Sequence, residues 1–248
     1  MTSTERTLAD GGIAVYRHPF LVRATHWINA LCLLVLLLSG LQILNAHPAL
    51  YWGNTSVFDA PFVAFGPGSQ EGPAIPHWLT LPPWQDLAGG RRWHFFFAWL
   101  FVLNGLLYVL YAVSSRRVSQ VLAPTRTQLQ HIGESLREHL KLHFPHGEEA
   151  RRYNVLQKLS YLVVLFGLLP LMVLTGLTMS PGMDARLHFL TEIFGGRQSA
   201  RTIHFLTAMA IVLFFVVHMI AMIAAGPLTE LRSIVTGWFV IRPEKRRS

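Results

Sequence analysis

The chain has 248 residues, 52% hydrophobic and only 14% charged, with a formal net charge of +8 and a mean hydropathy of +0.38. Soluble domains carry about 25% charged residues, and the apolar excess here is gathered into four long runs, so a soluble single domain is the weaker reading. The single cysteine, Cys32, excludes an internal disulfide, an iron–sulfur cluster and a structural zinc set. The basic residues flank hydrophobic runs and form no aromatic-interleaved patch, so their charge points to membrane topology and not to nucleic acid.

In chain order, the hydropathy predicts transmembrane spans over about 25–44, 92–113, 158–179 and 202–225. Their central runs, such as WINALCLLVLLLSGLQIL at 27–44, contain no Asp, Glu, Lys or Arg. At 1.5 Å per residue each crosses a hydrocarbon core of about 30 Å. About 25 residues precede the first run and no small-residue cleavage signal follows it, so it is read as a retained helix. Pro170 falls inside the third run, where a bundled membrane helix tolerates a kink. The fold class expected is therefore an all-α integral membrane protein, one domain over 1–248, built as a four-helix transmembrane bundle.

With four spans, both termini and the 114–157 segment lie on one side of the membrane. That side, counted to Lys158, carries 16 Lys and Arg against 5 on the other, and the positive-inside rule makes it cytoplasmic. The extracytoplasmic loop 45–91 is rich in Pro, Gly and Trp and reads as an irregular packed cap, suited to the membrane interface or to a docked partner. In the short second outer loop, MDARLHFLTEIFGG reads as one interfacial helix ended by Gly195 and Gly196. The stretch 119–145 reads as a surface amphipathic helix, and no internal repeat is found.

Four histidines lie at membrane depth, where an ionisable side chain is a functional hypothesis by default. His26 opens the first span, His94 the second, and His204 and His218 share the fourth. The last two are 14 residues apart, which leaves them within about 40° of one helical face and about 21 Å apart along the axis. Span direction places His26 with His218 at the inner level and His94 with His204 at the outer level. Two imidazoles facing across a bundle are the axial set of a six-coordinate haem iron. Zinc prefers four tetrahedral ligands and a proton relay usually shows a buried carboxylate, so both fit less well. Helix cross-linking by hydrogen bonds is the plain structural alternative for any one of the four.

Gly40 falls at the level of the outer pair and Gly105 near that of the inner pair, where a flat macrocycle could approach the backbone. Arg23, Arg91, Arg92, Arg201 and Lys158 stand at span ends, placed for haem propionates or lipid phosphates.

These pieces resemble the bacterial cytochrome b561 family, which includes the membrane cytochrome b subunits of formate dehydrogenases and nickel–iron hydrogenases. The matching segments are RATHW at 23–27, RRWH at 91–94, YNVLQKLSY at 153–161, RTIHFLTA at 201–208, VVHM at 216–219 and LRSIVTG at 231–237. The resemblance implies two b haems, one held by His26 and His218 and the other by His94 and His204. It also implies exchange of electrons between a quinone, ubiquinone or menaquinone, and a soluble partner. Asn154, Gln157 and Lys158 match the positions at which the formate dehydrogenase subunit contacts menaquinone. The HPALYWG loop is similar to cytochromes paired with periplasmic molybdopterin oxidoreductases, which makes such an enzyme the expected partner. The expected location is the bacterial inner membrane, with a homodimer compatible with the family. Rival readings are a stand-alone superoxide:quinone oxidoreductase with a cationic funnel of Arg91, Arg92 and Arg201, and a hydrogenase or formate dehydrogenase subunit. A non-redox transporter or scaffold is less favoured, since four spans are few for a transporter.

Overall fold

The computed structural model describes residues 5–9, 11–66, 72–133, 135, 137 and 154–241. Four long helices dominate it: α1 (Phe20–Ala46), α2 (Leu87–Ser114), a third running Val155–Met179, and α8 (Arg197–Ala225). All four are long and apolar enough to cross a membrane. Each begins a few residues ahead of its apolar run, as α2 does with the Leu87–Arg92 turn before Trp93. The third consists of α4 (Val155–Val163), a π turn at Val164–Leu168, and α5 (Leu169–Met179). The π turn lies directly before Pro170, which cannot donate a backbone hydrogen bond and whose ring clashes with the carbonyl four residues back.

The helices are inside-out relative to a soluble protein. Leu110 and Leu213 are 68% and 66% exposed, whereas Ser39 and Thr175 are 0% exposed. Lipid is as apolar as leucine, so membrane helices associate through close packing of small and hydroxylated side chains. Several buried hydroxyls are satisfied within their own helices: Thr178 donates to the Thr175 carbonyl at 2.7 Å, and Thr25 to the Leu21 carbonyl at 2.8 Å.

The chain forms two compact units. The first comprises residues 1–27, 107–164 and 213–248. It contains a three-stranded antiparallel sheet that an all-α expectation omits, ordered β1 (Glu5–Thr7), β2 (Ile13–Tyr16), β5 (Trp238–Ile241). Ile13 pairs with Ile241 and Tyr16 with Trp238, so the N- and C-terminal segments are hydrogen-bonded to each other. Helix α9 (Pro227–Thr236) leads into β5 through Gly237, at φ +90°. A Cβ on Gly237 would lie 2.7 Å from the Tyr16 ring and 2.8 Å from the His18 carbonyl oxygen, so only glycine fits this corner. In the 119–145 stretch the structure shows a π turn at Val118–Leu122 and a short α3 (Arg126–Gln130) capped by Thr125, not one continuous helix. Much of the rest of that stretch lies outside the described residues.

The second unit comprises residues 28–106 and 165–212. Its long loop after α1 carries a two-stranded pair, β3 (Ala49–Leu50) with β4 (Val63–Ala64). This loop is tied down by polar contacts. Asn45 exchanges two hydrogen bonds with the Ile75 backbone, at 2.9 and 2.7 Å, and the Gln42 amide donates to the Trp84 carbonyl at 2.7 Å. At the start of α8, Thr202 donates to the Tyr51 carbonyl at 2.6 Å and Ser199 accepts from the Gly53 N–H at 2.8 Å. Arg201 donates to the carbonyls of Ala49 and His47. The MDARLHFLTEIFGG segment is two short helices, α6 (Pro181–Asp184) and α7 (His188–Ile193), because Leu187 leaves helical geometry and Asp184 accepts from Thr191 at 2.5 Å.

The Thr202–Tyr51 bond is fully buried, so Thr202→Val strands a carbonyl without water. The variant is expected to lose about 1–3 kcal/mol, read as a lower Tm in detergent, while Thr202→Ser stays close to wild type.

Candidate functional site

In the second unit, α2 presents His94 and α8 presents His204, with ring centroids 6.3 Å apart and ring planes at 58°. Each ring is held from behind by a hydroxyl on another helix. Ser39 on α1 lies 3.1 Å from His94 Nδ1, and Thr175 on α5 lies 2.9 Å from His204 Nδ1. Each ring also bonds a backbone carbonyl of the same helix as its hydroxyl, Leu36 for His94 and Met172 for His204. A glycine follows each hydroxyl. A Cβ on Gly40 would stand 3.4 Å from His94 Cε1, and a Cβ on Gly176 would stand 3.4 Å from His204 Cε1. Each ring therefore lies against bare backbone, with room for a methyl group and nothing larger.

In the first unit, His26 on α1 and His218 on α8 lie within electrostatic range of each other. His218 stacks on Phe214, with centroids 5.9 Å apart, and meets the edge of Tyr161 at 6.4 Å. His26 meets Trp27 edge-on at 5.4 Å. A basic cluster borders this pair: Arg17, Arg117 and Arg23 act electrostatically on His18, which also senses His26. Arg23 donates to the Val235 carbonyl at 2.5 Å, and Arg117 to the Arg17 carbonyl at 3.4 Å. His18 is 7% exposed and its Nδ1 has no partner among the described residues.

The other residues expected at the site have structural engagements. Arg201 spends its guanidinium on the loop carbonyls, and Arg91 stacks at 5.8 Å over Phe95. Asn154 and Gln157 form the capping box of α4: Asn154 Oδ1 accepts from the Leu156 N–H, and Gln157 Oε1 from the Asn154 N–H. Lys158 is buried and donates to the Ala123 carbonyl and to Gln128 Oε1, at 3.2 and 3.1 Å. Ser39, Thr175, Gly176 and His18 were not singled out from the sequence. The signal for three of them was a Ser-Gly or Thr-Gly step inside an apolar run, easily read as ordinary helix packing.

The family model of the prokaryotic cytochromes b561 matches residues 17–237. The chain belongs to the prokaryotic cytochrome b561 family. It is also 31% identical over 217 residues to a protein of Azospira oryzae named as a subunit of a protein-methionine-sulfoxide reductase, YedZ1. That match covers 88% of this chain and 94% of the relative. No solved structure matches the chain. As a cytochrome b561, the chain is a multi-pass membrane haem b protein of the bacterial inner membrane that works in electron transfer.

The residues present fit a haem. Among the described residues no group of three or more His, Cys, Asp or Glu is gathered for a metal ion. A pair of imidazoles suits a cofactor that brings four equatorial nitrogens of its own. The 6.3 Å between the His94 and His204 centroids leaves room for one metal atom between two imidazoles, so these two residues would hold the haem iron.

Burial, then the neighbouring Arg17 and Arg117, His26 and Arg23, hold the His18 imidazole down to about 3. The folded protein refuses a proton that the unfolded chain accepts. Stability at His18 is therefore undiminished above its ordinary value of 6.5 and is lost as pH falls from there toward 3. His18→Gln is expected to flatten this acid-side loss in a series of Tm measurements in detergent, with little change in Tm at neutral pH.

Proposed function

We propose that this cytochrome b561 is a dihaem electron carrier, passing electrons from membrane quinol to a periplasmic oxidoreductase of the molybdopterin class. His94 and His204 hold one haem b, and His26 and His218 the other. The observation that carries this reading is the facing of His94 and His204 at 6.3 Å with each Nδ1 already engaged by a hydroxyl. A helix cross-link would need only one ring and one partner, and here four helices converge on two rings. When bound, haem b supplies one-electron Fe(III)/Fe(II) chemistry. The protein supplies neutral imidazole donors, a dry setting and glycine clearance at Gly40 and Gly176.

The Lys/Arg excess supports cytoplasmic termini, and the β2–β5 pairing supports one side for both. His26 and His218 then lie toward the cytoplasm, and His94 and His204 toward the periplasm. The relative named as a methionine-sulfoxide reductase subunit supports flow toward a periplasmic reductase. Quinol oxidation to quinone releases two electrons and two protons, so the quinone site needs polar groups at the membrane edge. Asn154, Gln157 and Lys158 are proposed for it. The capping box occupies the two amide oxygens, leaving the Asn154 and Gln157 NH2 groups as donors toward a quinone carbonyl. Arg23, Arg91 and Arg201 are proposed to meet propionates. The engagement of Arg201 with loop carbonyls speaks against an open superoxide funnel.

Pyridine haemochrome quantitation on detergent-purified protein is expected to give two b haems per chain. His204→Ala is expected to give one, with transfer to the periplasmic partner lost. Retention of both haems in that variant overturns the pairing, and folded wild-type protein without haem overturns the electron-transfer reading.

A further inference from the structure

The Ser39 and Thr175 hydroxyls are placed alike, on two different helices, against the two facing rings. Each carries one proton, and each has a short-range use for it. Ser39 donates to the Val35 carbonyl at 2.6 Å, and Thr175 to the Leu171 carbonyl at 2.7 Å, both four residues back along the same helix. Such back-bonding is common for hydroxyls in apolar helices. Its consequence here is that the hydroxyl oxygen has only lone pairs left for its second neighbour. At 3.1 and 2.9 Å that neighbour is an imidazole Nδ1, so while each hydroxyl keeps its helix bond the proton between them comes from the ring, a form that the backbone carbonyls of Leu36 and Met172, bonded to the same two rings, also favour. His94 and His204 are thereby both held as the Nδ1–H form, with the Nε2 lone pair free. Ser39 and Thr175 are fully buried, so no water can replace them.

We propose, resting on the haem reading above, that Ser39 and Thr175 are positioning residues for the His94/His204 haem. They fix the tautomer of both axial ligands, and by accepting the Nδ1 proton they strengthen Nε2 as a donor to iron. A stronger donor favours Fe(III), so the two hydroxyls lower the reduction potential of this haem and leave the His26/His218 haem unaffected. Outer partners of metal-bound histidines act in this way, setting ring orientation and raising ligand basicity. The glycines after them border the same rings and leave room for nothing beyond a methyl group.

The test uses the full-length protein in detergent with Ser39→Ala, Thr175→Val, the double variant, and the hydroxyl-keeping pair Ser39→Thr and Thr175→Ser. Haem content is measured first by pyridine haemochrome. Both midpoint potentials are then followed by optical redox titration, and the low-spin ferric signals by EPR. The expected result is an upward shift of one midpoint in each single variant, a larger shift in the double variant, and a changed EPR signal for that haem alone. The hydroxyl-keeping variants return to wild type. If Thr175→Val loses one haem while Thr175→Ser keeps it, the hydroxyl role also stands, because Val matches Thr in shape. The proposal is overturned if all variants retain two haems with unmoved midpoints, or if the hydroxyl-keeping variants lose haem as readily as the others. Failure of the haem reading is seen separately, in His204→Ala retaining both haems.

Discussion

Every polar group inside this chain must find its partner within the protein, because lipid offers none. That constraint selects the interior. The most deeply buried side chains include Ser39, Gln42, Thr175, Thr178 and Thr202, and large apolar residues face outward. Ser39, Thr175 and Thr178 survive there by donating to their own helices, and Thr202 by donating to the loop at Tyr51. The His94 and His204 rings bond the Ser39 and Thr175 oxygens. Helix association and the orientation of the two rings thus depend on the same few oxygen atoms.

The loop after α1 follows the same rule in a different setting. Among its described residues regular structure is confined to β3, β4 and a 3-10 turn at His77–Leu79, yet its carbonyls at His47, Ala49 and Tyr51 are met by Arg201 and Thr202. These donors sit within three residues of His204. The loop and the turn of α8 that bears His204 are consequently one mechanical piece, and a partner docking on the loop would press on the helix that presents the ring.

The helices were legible as four runs without charge, and the approach of His94 to His204 and of His26 to His218 from imidazoles that are chemically rare at membrane depth. Gly40 was placed at the outer pair from spacing alone, and it lies against His94. Gly176 and Thr175 were not found, because they sit after Pro170 and the π turn, where a plain 3.6-residue repeat loses its phase. The terminal sheet was missed for another reason. Short strands of four residues carry little pattern, and β2 and β5 stabilise each other only through a contact across almost the whole chain. Asn154 and Gln157 show the converse, since Asn-x-x-Gln before an apolar run is also a helix-start signal, and the structure uses it as one.

The pairing of β2 with β5 sets an order of events during biosynthesis. Ile13 leaves the ribosome before the first membrane-spanning helix, and Ile241, its partner, only after the fourth. Until then β2 has an open edge on the side that β5 will cover, although β1 is already available on the other. The sheet can close only after the fourth helix has been inserted. A chain stopped short of residue 238 keeps that edge unpaired, and an unpaired edge is a template for association with other chains.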